Sequence, residues 1–542
     1  MREQWPVDLP GASSPAMTWN SWGTPDKHRP LSEGTRALLN SALGIADTEA
    51  EVRSSTPPRL EGSVLSIQRR TALADIVGES HVVTDDAVRT LHLGGKSTFD
   101  LLARRSGEVQ DAPDAVVFPA DTDEVHELLR YCSAESIAVV PFGGGTSVVG
   151  GVDPVREWFD AVVSISTARL TGMTHLDEIS RTATFGAGVT GPQAEEMLAR
   201  HGLTLGHFPQ SFMFATIGGF AATRSSGQAS SGYGRFADMV CSLVVATPIG
   251  ITHAGTAPAS AAGPDLRHVF LGSEGTLGII TSVTVRVHPI PETTAYRAWW
   301  FPSFASGAEA FRELAAEAGR PTVMRLSDEV ETGINEALAG QSDDTVPPGG
   351  CLSVATFEGT EHEVDARATA ADAMIAMHSG ISIDPGRARA WESGRFDSPY
   401  LRDALLDAGA LAETLETATQ WSHLAAVREA VTSALVRSLT EVGTPPIVMC
   451  HISHVYPTGA SLYFTVVCAA TEDARTQWLG AKRSATQAMT DSGATVTHHH
   501  AVGRDHRPWM VQEVGPVGTA LLRAIKVAMD PAGVLNPGKL IP

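Results

Sequence analysis

The segment PFGGGTSVVGG at residues 141–151 places a run of glycines directly after the apolar run Ile137–Val140. This order predicts a buried strand followed by a loop whose backbone can approach a ligand closely. Two common nucleotide loops are excluded, because Val148 stands where the last glycine of a G-x-G-x-x-G fingerprint belongs and Val152 replaces the Lys-Ser/Thr of a P-loop. What remains is a run of amides that can bind an anion, with a plain glycine turn as the alternative.

Strands and helices alternate around this loop. The run Ala115–Phe118 predicts a strand, and Asp121 predicts the N-cap of the next helix, with Glu124 in the capping-box position. After about residue 293 the pattern changes to aromatic-rich strands and longer helices. We therefore expect four parts, listed by residue number: a partly helical N-terminal extension (1–110), a ligand-binding domain (111–292), a second domain covering it (293–503), and a C-terminal helix with a tail (504–542).

Charge and cysteine content narrow the function classes. The formal net charge is −21 and no basic stretch stands out, which argues against a nucleic-acid partner and against broad docking on anionic lipid. Five scattered cysteines without a CxxC pair favour reduced thiols in a cytoplasmic protein. We see no signal peptide, no run of about 20 apolar residues and no peroxisomal targeting signal.

Three further glycine-rich stretches accompany the first: 209–240, 270–292 and the tail DPAGVLNPGKLIP. Together the four resemble the FAD-binding fold of the vanillyl-alcohol-oxidase (PCMH) type. The resemblance implies an α+β fold, in which a PCMH-type domain of two α/β subdomains binds FAD and an α+β cap domain with an antiparallel sheet covers the flavin. Some families of this fold attach FAD through a histidine in the first loop, where Phe142 stands here. We therefore expect non-covalent FAD.

The same resemblance implies three sets of cofactor contacts. Gln210 departs from the aspartate usual at its position, which leaves that contact open. The implied residues are Pro141, Phe142, Gly143, Gly144, Gly145, Thr146 and Ser147; Gln210, Ser211, Phe212, Met213, Phe214, Ala215, Thr216, Gly218, Gly219, Thr223, Arg224, Ser225 and Ser226; and Gly272, Ser273, Glu274, Gly275, Thr276, Leu277 and Gly278.

The region after residue 293 separates flavin families. The 2-hydroxy-acid dehydrogenases carry a GHxGDGNLH metal motif and a later EHG. Here the stretch CHISHVYPTGASLYFT (450–465) matches only through His451, Tyr463 falls near the second histidine position, and HHH replaces EHG. A metal-assisted site of that kind is disfavoured.

Six markers resemble the alkyldihydroxyacetonephosphate synthase family, and the last four of them lie outside the flavin loops. They are MTWNSWG (17–23), SFMFATIGGF (211–220), VMRLSD (323–328), YLRDALLDAGALAETLETATQW (400–421), VYPTGASLYF (455–464) and THHHAVG (497–503). The family exchanges the acyl group of acyl-dihydroxyacetone phosphate for a fatty alcohol and releases a fatty acid, without net redox change at the flavin. The resemblance also implies a homodimer, and such substrates imply contact with a membrane. The alternative function is an FAD-linked oxidase or dehydrogenase of an alcohol or 2-hydroxy acid.

Motif matching within that family assigns roles to four side chains. Arg402 matches the substrate-phosphate arginine, although an arbitrary arginine at this position would more often pair with Asp403 or Asp407 on a helix surface. Arg325 matches a position near the flavin and needs a partner if it is half-buried. Thr414 falls where the family has a substrate-facing serine. Tyr456 matches the proton-transfer tyrosine, whereas a lone tyrosine would usually be a core ring.

The run His498, His499 and His500 is open to three interpretations: a metal site, a solvated turn, or a cationic, hydrogen-bonding wall beside Tyr456. On an extended strand His498 and His500 would share one face, so at most two ligands would converge. We favour the wall and expect no metal. A wall of cations would also help a tyrosine with an ordinary pKa near 10 to lose its proton.

Overall fold

The computed structural model describes residues 9–10, 16–46, 56–107, 111–316, 320–339, 347 and 349–542. Its first half contains short strands and helices in alternation. The strands are β1 Val82–Val83, β2 Ala115–Val117, β3 Ile137–Phe142, β4 Ala161–Ser166, β5 Met173–Asp177, β6 Thr182–Gly186, β7 Leu203–Thr204, β8 Val240–Thr247, β9 Gly250–Ala254, β10 Ile279–Arg286 and β11 His288–Pro289. The helices are α1 Glu33–Leu43, α2 Ile67–Val77, α3 Asp86–Leu91, α4 Thr98–Arg105, α5 Thr122–Ala134, α6 Gly191–Ala199, α7 Ile217–Thr223, α8 Ser230–Tyr233, α9 Phe236–Met239 and α10 Arg267–Phe270.

The second half has longer elements. Its strands are β12 Thr293–Phe301, β13 Val323–Ser327, β14 Cys351–Gly359, β15 Ile381–Ile383, β16 Ala410–Gln420, β17 Ile447–Tyr456 and β18 Gly459–Ala469. Its helices are α11 Phe304–Ala316, α12 Glu329–Ala339, α13 Glu361–Met377, α14 Gly386–Gly394, α15 Ser398–Asp407, α16 Leu424–Glu441, α17 Ala474–Asp491 and α18 Met510–Met529. Within the described residues, no helix is both long and apolar enough to cross a lipid bilayer.

The first sheet has the order β1-β2-β4-β3, with β4 parallel to both β2 and β3. Parallel strands of one sheet need a crossover connection, and α5 supplies the one from β2 to β3, which lie on either side of β4. Val125, Leu128, Leu129 and Cys132 of α5 are fully buried, as their spacing predicts. Asp121 caps α5 by accepting a hydrogen bond from the Glu124 N–H, which confirms the predicted N-cap.

The second sheet is antiparallel, with the order β5-β6-β10-β8-β9, and β7 pairs separately with β11. Its core contains Phe185, Phe220, Phe236 and Val283, so α7 and α9 pack against the sheet through aromatic rings. The two sheets share one lobe, which we call the flavin lobe, and the loops after β3 and around α7 meet inside it.

The cap is a seven-stranded antiparallel sheet with the order β15-β12-β14-β13-β17-β18-β16. Helices α11, α13, α16 and α17 supply the other half of its core, which includes the fully buried ring of Trp299 and the almost fully buried ring of Trp478. The long hairpin of β17 and β18 runs beside β16. This hairpin carries Tyr456 at its tip, so a large core determines where that side chain lies.

Both ends of the chain join the flavin lobe. The tail after α18 bonds to β3, since the Val139 N–H donates to the Val534 carbonyl and the Asn536 N–H donates to the Val139 carbonyl. At the other end, β1 pairs with β2, and the N–H of Thr98 in α4 donates to Glu413 of the cap. The part of residues 1–110 that the structure describes is therefore packed between the lobes rather than extending from them.

Candidate active site

Two of the glycine loops line a cleft in the flavin lobe, which we call the flavin cleft. Its walls come from both halves of the lobe and from the N-terminal segment. The lining residues are Leu9, Ala16, Met17, Leu91, His92, Lys96, Phe142, Gly143, Gly144, Gly145, Ser166, Thr167, Ala168, Thr171, Gly188, Thr190, Gln193, Met213, Phe214 and Thr216.

The loops predicted to bind the cofactor do meet in space. A Cβ built on Gly144 would overlap the Phe214 carbonyl oxygen, and one built on Gly143 would lie 2.6 Å from Oγ1 of Thr216. The third loop joins them, because a Cβ on Gly275 would lie 2.5 Å from the ring of Pro141. Gly144 therefore faces backbone, and Gly143 and Gly275 face side chains of a neighbouring loop, at distances that only glycine permits.

The cleft suits a flavin nucleotide. The Nε2 atom of Gln210 and the Oγ atom of Ser273 are buried and have no hydrogen-bond partner within the described part of the chain. Both belong to the loops assigned to FAD, and buried polar atoms normally find partners. Orphaned donors beside bare backbone amides fit a ligand that has both carbonyl and phosphate oxygens, as FAD has.

Sequence reasoning missed the contribution of the N-terminal segment. The ring of His92 lies 4.2 Å from that of Phe142, and burial lowers the pKa of His92 to about 4. A Cβ on Gly95 would overlap the Ser147 carbonyl oxygen, to which the Lys96 N–H donates at 2.6 Å. The glycine pair before Lys96 was the available signal, since it again marks close backbone approach.

Residues 497–503, which we call the histidine loop, form a series of bends and not an extended strand. The buried carboxylate of Glu416 accepts hydrogen bonds from the N–H groups of His498 at 2.7 Å, His499 at 3.0 Å and His500 at 2.8 Å. The Thr497 hydroxyl donates to the same carboxylate at 2.6 Å. One carboxylate therefore determines the path of residues 497–500.

A second carboxylate binds the end of the histidine loop. Glu274, from the third glycine loop, accepts hydrogen bonds from the N–H groups of Val502 at 2.8 Å and Gly503 at 2.7 Å. Burial raises the pKa of Glu274 to about 7, while these two donors lower it. Glu416 belongs to the cap and Glu274 to the flavin lobe, so the loop is attached to both.

Tyr456 and the first histidine form a close pair. The phenol oxygen of Tyr456 lies 2.6 Å from Nε2 of His498, and Nδ1 of His498 lies 2.9 Å from Nδ1 of His499. The pair adjoins the flavin loops, because Nε2 of the neighbouring His454 lies 3.0 Å from the Gly227 carbonyl. The predicted partnership of His498 with His500 is wrong, since the bends bring His498 and His499 together instead.

The charge of this group differs from the cationic wall expected from the sequence. Burial lowers the pKa of both His499 and His500 to about 4, although Glu416 acts in the opposite direction, and it lowers the pKa of His498 well below its usual value. Burial also raises the pKa of Tyr456 to about 12. At neutral pH the site therefore contains neutral rings and a protonated phenol, and it acts through hydrogen bonds.

A metal was not expected, and the geometry adds one observation on that point. Nitrogen atoms of His454, His498 and His499 all lie within 4.8 Å of one another. However, Nδ1 of His454 lies 2.9 Å from the Ser453 hydroxyl, its Nε2 contacts a carbonyl, and Nε2 of His498 contacts Tyr456. These nitrogens already have hydrogen-bond partners, which would have to be given up if a metal bound. The absence of a metal stays a prediction.

Arg325 has the partners that its half-buried position requires. It donates to Glu331 at 2.6 Å, and its guanidinium lies 2.9 Å from Nε2 of His451. The ring of Tyr463 stacks on His451 at 4.9 Å and lies parallel to His499 at 6.2 Å. Glu331 and Tyr463 were not predicted from the sequence, and they connect Arg325 to the histidine loop.

The two predicted substrate contacts lie on different elements. The Thr414 hydroxyl, on β16, lies against Tyr463, where it lowers the pKa of that phenol in opposition to burial. Arg402, on α15, donates to the Lys96 carbonyl at 2.6 Å and to Asp403 at 3.2 Å. The contact with Lys96 places Arg402 beside a residue that lines the flavin cleft.

Known proteins resemble the chain over nearly its whole length. A family model described as "FAD binding domain" matches residues 113–255, and one described as "FAD linked oxidases, C-terminal domain" matches residues 290–540. The alkyldihydroxyacetonephosphate synthase of Dictyostelium discoideum is 33% identical over 478 residues, which cover 84% of this chain and 78% of that protein. The synthase of the same name from Caenorhabditis elegans is 31% identical and covers 97% and 95%.

A solved structure of an alkyldihydroxyacetonephosphate synthase superposes with a TM-score of 0.82 at 28% identity and covers 97% of this chain and 99% of that one. Together with the two family models, this match confirms the predicted α+β class and the flavin-binding fold.

Proposed function

Because the chain belongs to the alkyldihydroxyacetonephosphate synthase family, we propose that it exchanges the acyl group of acyl-dihydroxyacetone phosphate for a long-chain fatty alcohol. The products are alkyl-dihydroxyacetone phosphate, a precursor of ether lipids, and a fatty acid. FAD is the cofactor. The observation that carries the proposal is the Tyr456–His498 pair, which adjoins the flavin loops through His454 and Gly227.

The residues that would bind FAD are the three glycine loops with Gln210 and Ser273. When bound, FAD supplies nucleophilic assistance at C1 of the substrate without net redox change. The fold around Phe142 offers no histidine in the first loop, so we propose that binding is non-covalent. Acid should then release a yellow chromophore, and a chromophore retained on the denatured chain would contradict this.

Proton transfer is assigned to Tyr456 and His498. The phenol has a pKa near 12 and cannot serve as a base by itself at neutral pH. The 2.6 Å contact allows its O–H to donate to Nε2 of the neutral His498. When C1 gives a proton to the phenol oxygen, the phenol's own proton passes to the imidazole, and both transfers run in reverse when C1 regains its proton. The buried Glu416 stabilises the imidazolium that forms, because it attracts a positive charge on each of the three histidines.

The remaining assignments concern binding. Arg402 is the proposed substrate-phosphate residue, since its planar fork of donors matches phosphate oxygens. Arg325 would stabilise negative charge near the flavin, with Glu331 and His451 fixing its orientation. Thr414 provides a hydroxyl beside Tyr463.

We also keep the predicted division at residues 110, 292 and 503, a cytoplasmic location, a homodimer and peripheral contact with a membrane as proposals. Support for the last comes from α18, where Val517, Leu521 and Val527 are exposed by 81%, 60% and 66%. Co-sedimentation with phospholipid vesicles would test it, and the triple change of these residues to serine should reduce the bound fraction.

One assay separates the synthase from an FAD-linked oxidase. The holoprotein is incubated with acyl-dihydroxyacetone phosphate and labelled hexadecanol, and the lipids are resolved. The proposal expects a labelled ether product and one fatty acid for each ether formed. An oxidase would instead bleach the flavin with an alcohol or 2-hydroxy acid and consume oxygen or another acceptor. That result without an ether product would overturn the synthase function.

A further inference from the structure

Lys96 is a buried cation without a carboxylate partner. Its side chain is about 5% exposed and lines the flavin cleft. Its ammonium donates to the backbone carbonyls of Thr18 and Trp19, and within the described residues it forms no ion pair with an acidic group within 4 Å. Buried charges are normally paired, so this arrangement calls for an explanation.

Two other cations lie near Lys96. Arg402 bonds to the Lys96 carbonyl, and its Nε atom has no partner in the described part of the structure. Arg104 is also buried, and its Nε and Nη2 atoms have no hydrogen-bond partner there. Burial, together with repulsion by Arg104 and Arg402, lowers the pKa of Lys96 well below its usual value. Three cationic side chains therefore lie near one another, and two of them, Arg104 and Arg402, have unused donors.

The two carboxylates that attract Lys96 are already engaged. Asp403 accepts a hydrogen bond from the Trp22 N–H at 2.6 Å and contacts both Arg402 and Arg105. Asp100 closes the capping box at the start of α4 with Ser97. Both attract Lys96 at longer range, but neither contacts it. No carboxylate among the described residues therefore contacts the Lys96 ammonium, and an anionic group of a ligand could do so.

We propose that Lys96 is a second phosphate-binding residue of the active site, whose ammonium acts together with the Arg402 guanidinium on one phosphate group. This inference rests on the proposed function. The phosphate comes either from the substrate, through Arg402, or from the FAD pyrophosphate, because the Lys96 N–H also bonds to Ser147 of the first glycine loop. In both cases a dianionic group would pair with cations that otherwise repel one another.

The alternative is that Lys96 only fastens the N-terminal segment through Thr18 and Trp19. The two explanations predict opposite effects on stability. A cation kept for a ligand costs stability when the ligand is absent, so its removal should leave the melting temperature unchanged or raised. A purely structural lysine would lower the melting temperature when removed.

The test uses the holoprotein with the variants Lys96→Gln and Lys96→Arg, and Lys27→Gln as an exposed-lysine control on the same segment. Binding of inorganic phosphate is followed by calorimetry, and loss of FAD on dilution by the recovery of flavin fluorescence. Neither measurement requires turnover, so a failed ether assay would not be confused with a failed phosphate site.

We expect Lys96→Gln to weaken one of the two interactions by about tenfold or more, with an unchanged or higher melting temperature once FAD has been removed. Lys96→Arg should stay within about threefold of the parent, and Lys27→Gln should match it. Weaker inorganic phosphate binding with normal FAD retention assigns Lys96 to the substrate phosphate, and faster FAD loss with normal phosphate binding assigns it to the cofactor. If neither interaction changes, or if Lys96→Gln melts earlier than the parent after FAD has been removed from both, or does not fold, the proposal is wrong.

Discussion

Around the flavin cleft, glycine lets neighbouring loops approach one another closely, whereas in the histidine loop side chains and one buried carboxylate determine the geometry. Gly144 illustrates the first case, because any Cβ there would meet the Phe214 carbonyl. Glu416 illustrates the second, because it accepts four hydrogen bonds from consecutive residues. We therefore expect FAD binding in the cleft to be sensitive to added side-chain atoms. The path of the histidine loop should instead be sensitive to removal of the negative charge on Glu416.

The largest effect is expected where an atom is added to the cleft. Gly144→Ala forces the loops after β3 and before α7 apart, and we expect FAD affinity to fall on the order of a hundredfold. The measurement is the ratio of flavin to protein absorbance after gel filtration. Gly62→Ala serves as the control, since its Cβ would meet nothing within 4 Å. Full flavin content in Gly144→Ala would show that backbone contact does not define the cleft.

Removal of one oxygen beside the histidine loop should leave the cleft unaffected. Tyr456→Phe deletes the group that lies 2.6 Å from His498, and we expect the exchange rate to fall by about 10² to 10⁴ while FAD stays bound. Tyr131→Phe, on α5, is the matched control. A Tyr456→Phe protein with normal exchange would separate the histidine loop from catalysis.

Removal of the negative charge of Glu416 tests whether this carboxylate positions the histidine loop. Glu416→Gln preserves the shape but replaces an acceptor-only carboxylate with an amide, so at least one buried N–H loses its partner. We expect about 1–3 kcal/mol lower stability and a roughly tenfold lower exchange rate. Denaturant unfolding and the exchange assay measure these, with Glu441→Gln as an exposed control. Unchanged stability would mean that the loop keeps its path without Glu416.

The smallest effect is expected on the pH dependence of the free energy of unfolding. The buried histidines His499 and His500 have pKa values lowered to about 4, so the unfolded chain binds protons below about pH 6.5 while the folded protein does not. Stability should therefore fall as pH decreases from about 6.5 to 4. His499→Gln should reduce this slope by up to about 1.4 kcal/mol per pH unit. Equal slopes in denaturant titrations would contradict neutral burial of this ring.

The sequence predicted the cleft better than the loop, for a physical reason. Glycine patterns report local backbone demands, so the three loops and the strand before Gly143 could be found from the chain alone. The bends at His498 depend on Glu416, which is 82 residues away and has no local signature. Burial then removed the positive charge that three adjacent histidines suggest, and no local pattern reports burial by a distant sheet.

The sequence also did not predict the contacts that the N-terminal segment makes with the rest of the protein, for a related reason. Its composition is polar and interrupted, which is typical of an extension. Its contacts, however, are made by backbone carbonyls of Thr18, Trp19 and Asn20 with buried cations on α4 and before it. Carbonyls are present at every residue, so their use cannot be detected from side-chain patterns.

The attachment of the histidine loop to Glu416 of the cap and Glu274 of the flavin lobe has a mechanical consequence. A relative displacement of the lobes would stretch one set of these hydrogen bonds before it altered either core. The partner of Tyr456 is therefore aligned only while the lobes are correctly seated on each other. The proton transfer proposed for Tyr456 and His498 therefore depends on hydrogen bonds from both lobes and not on the cap alone.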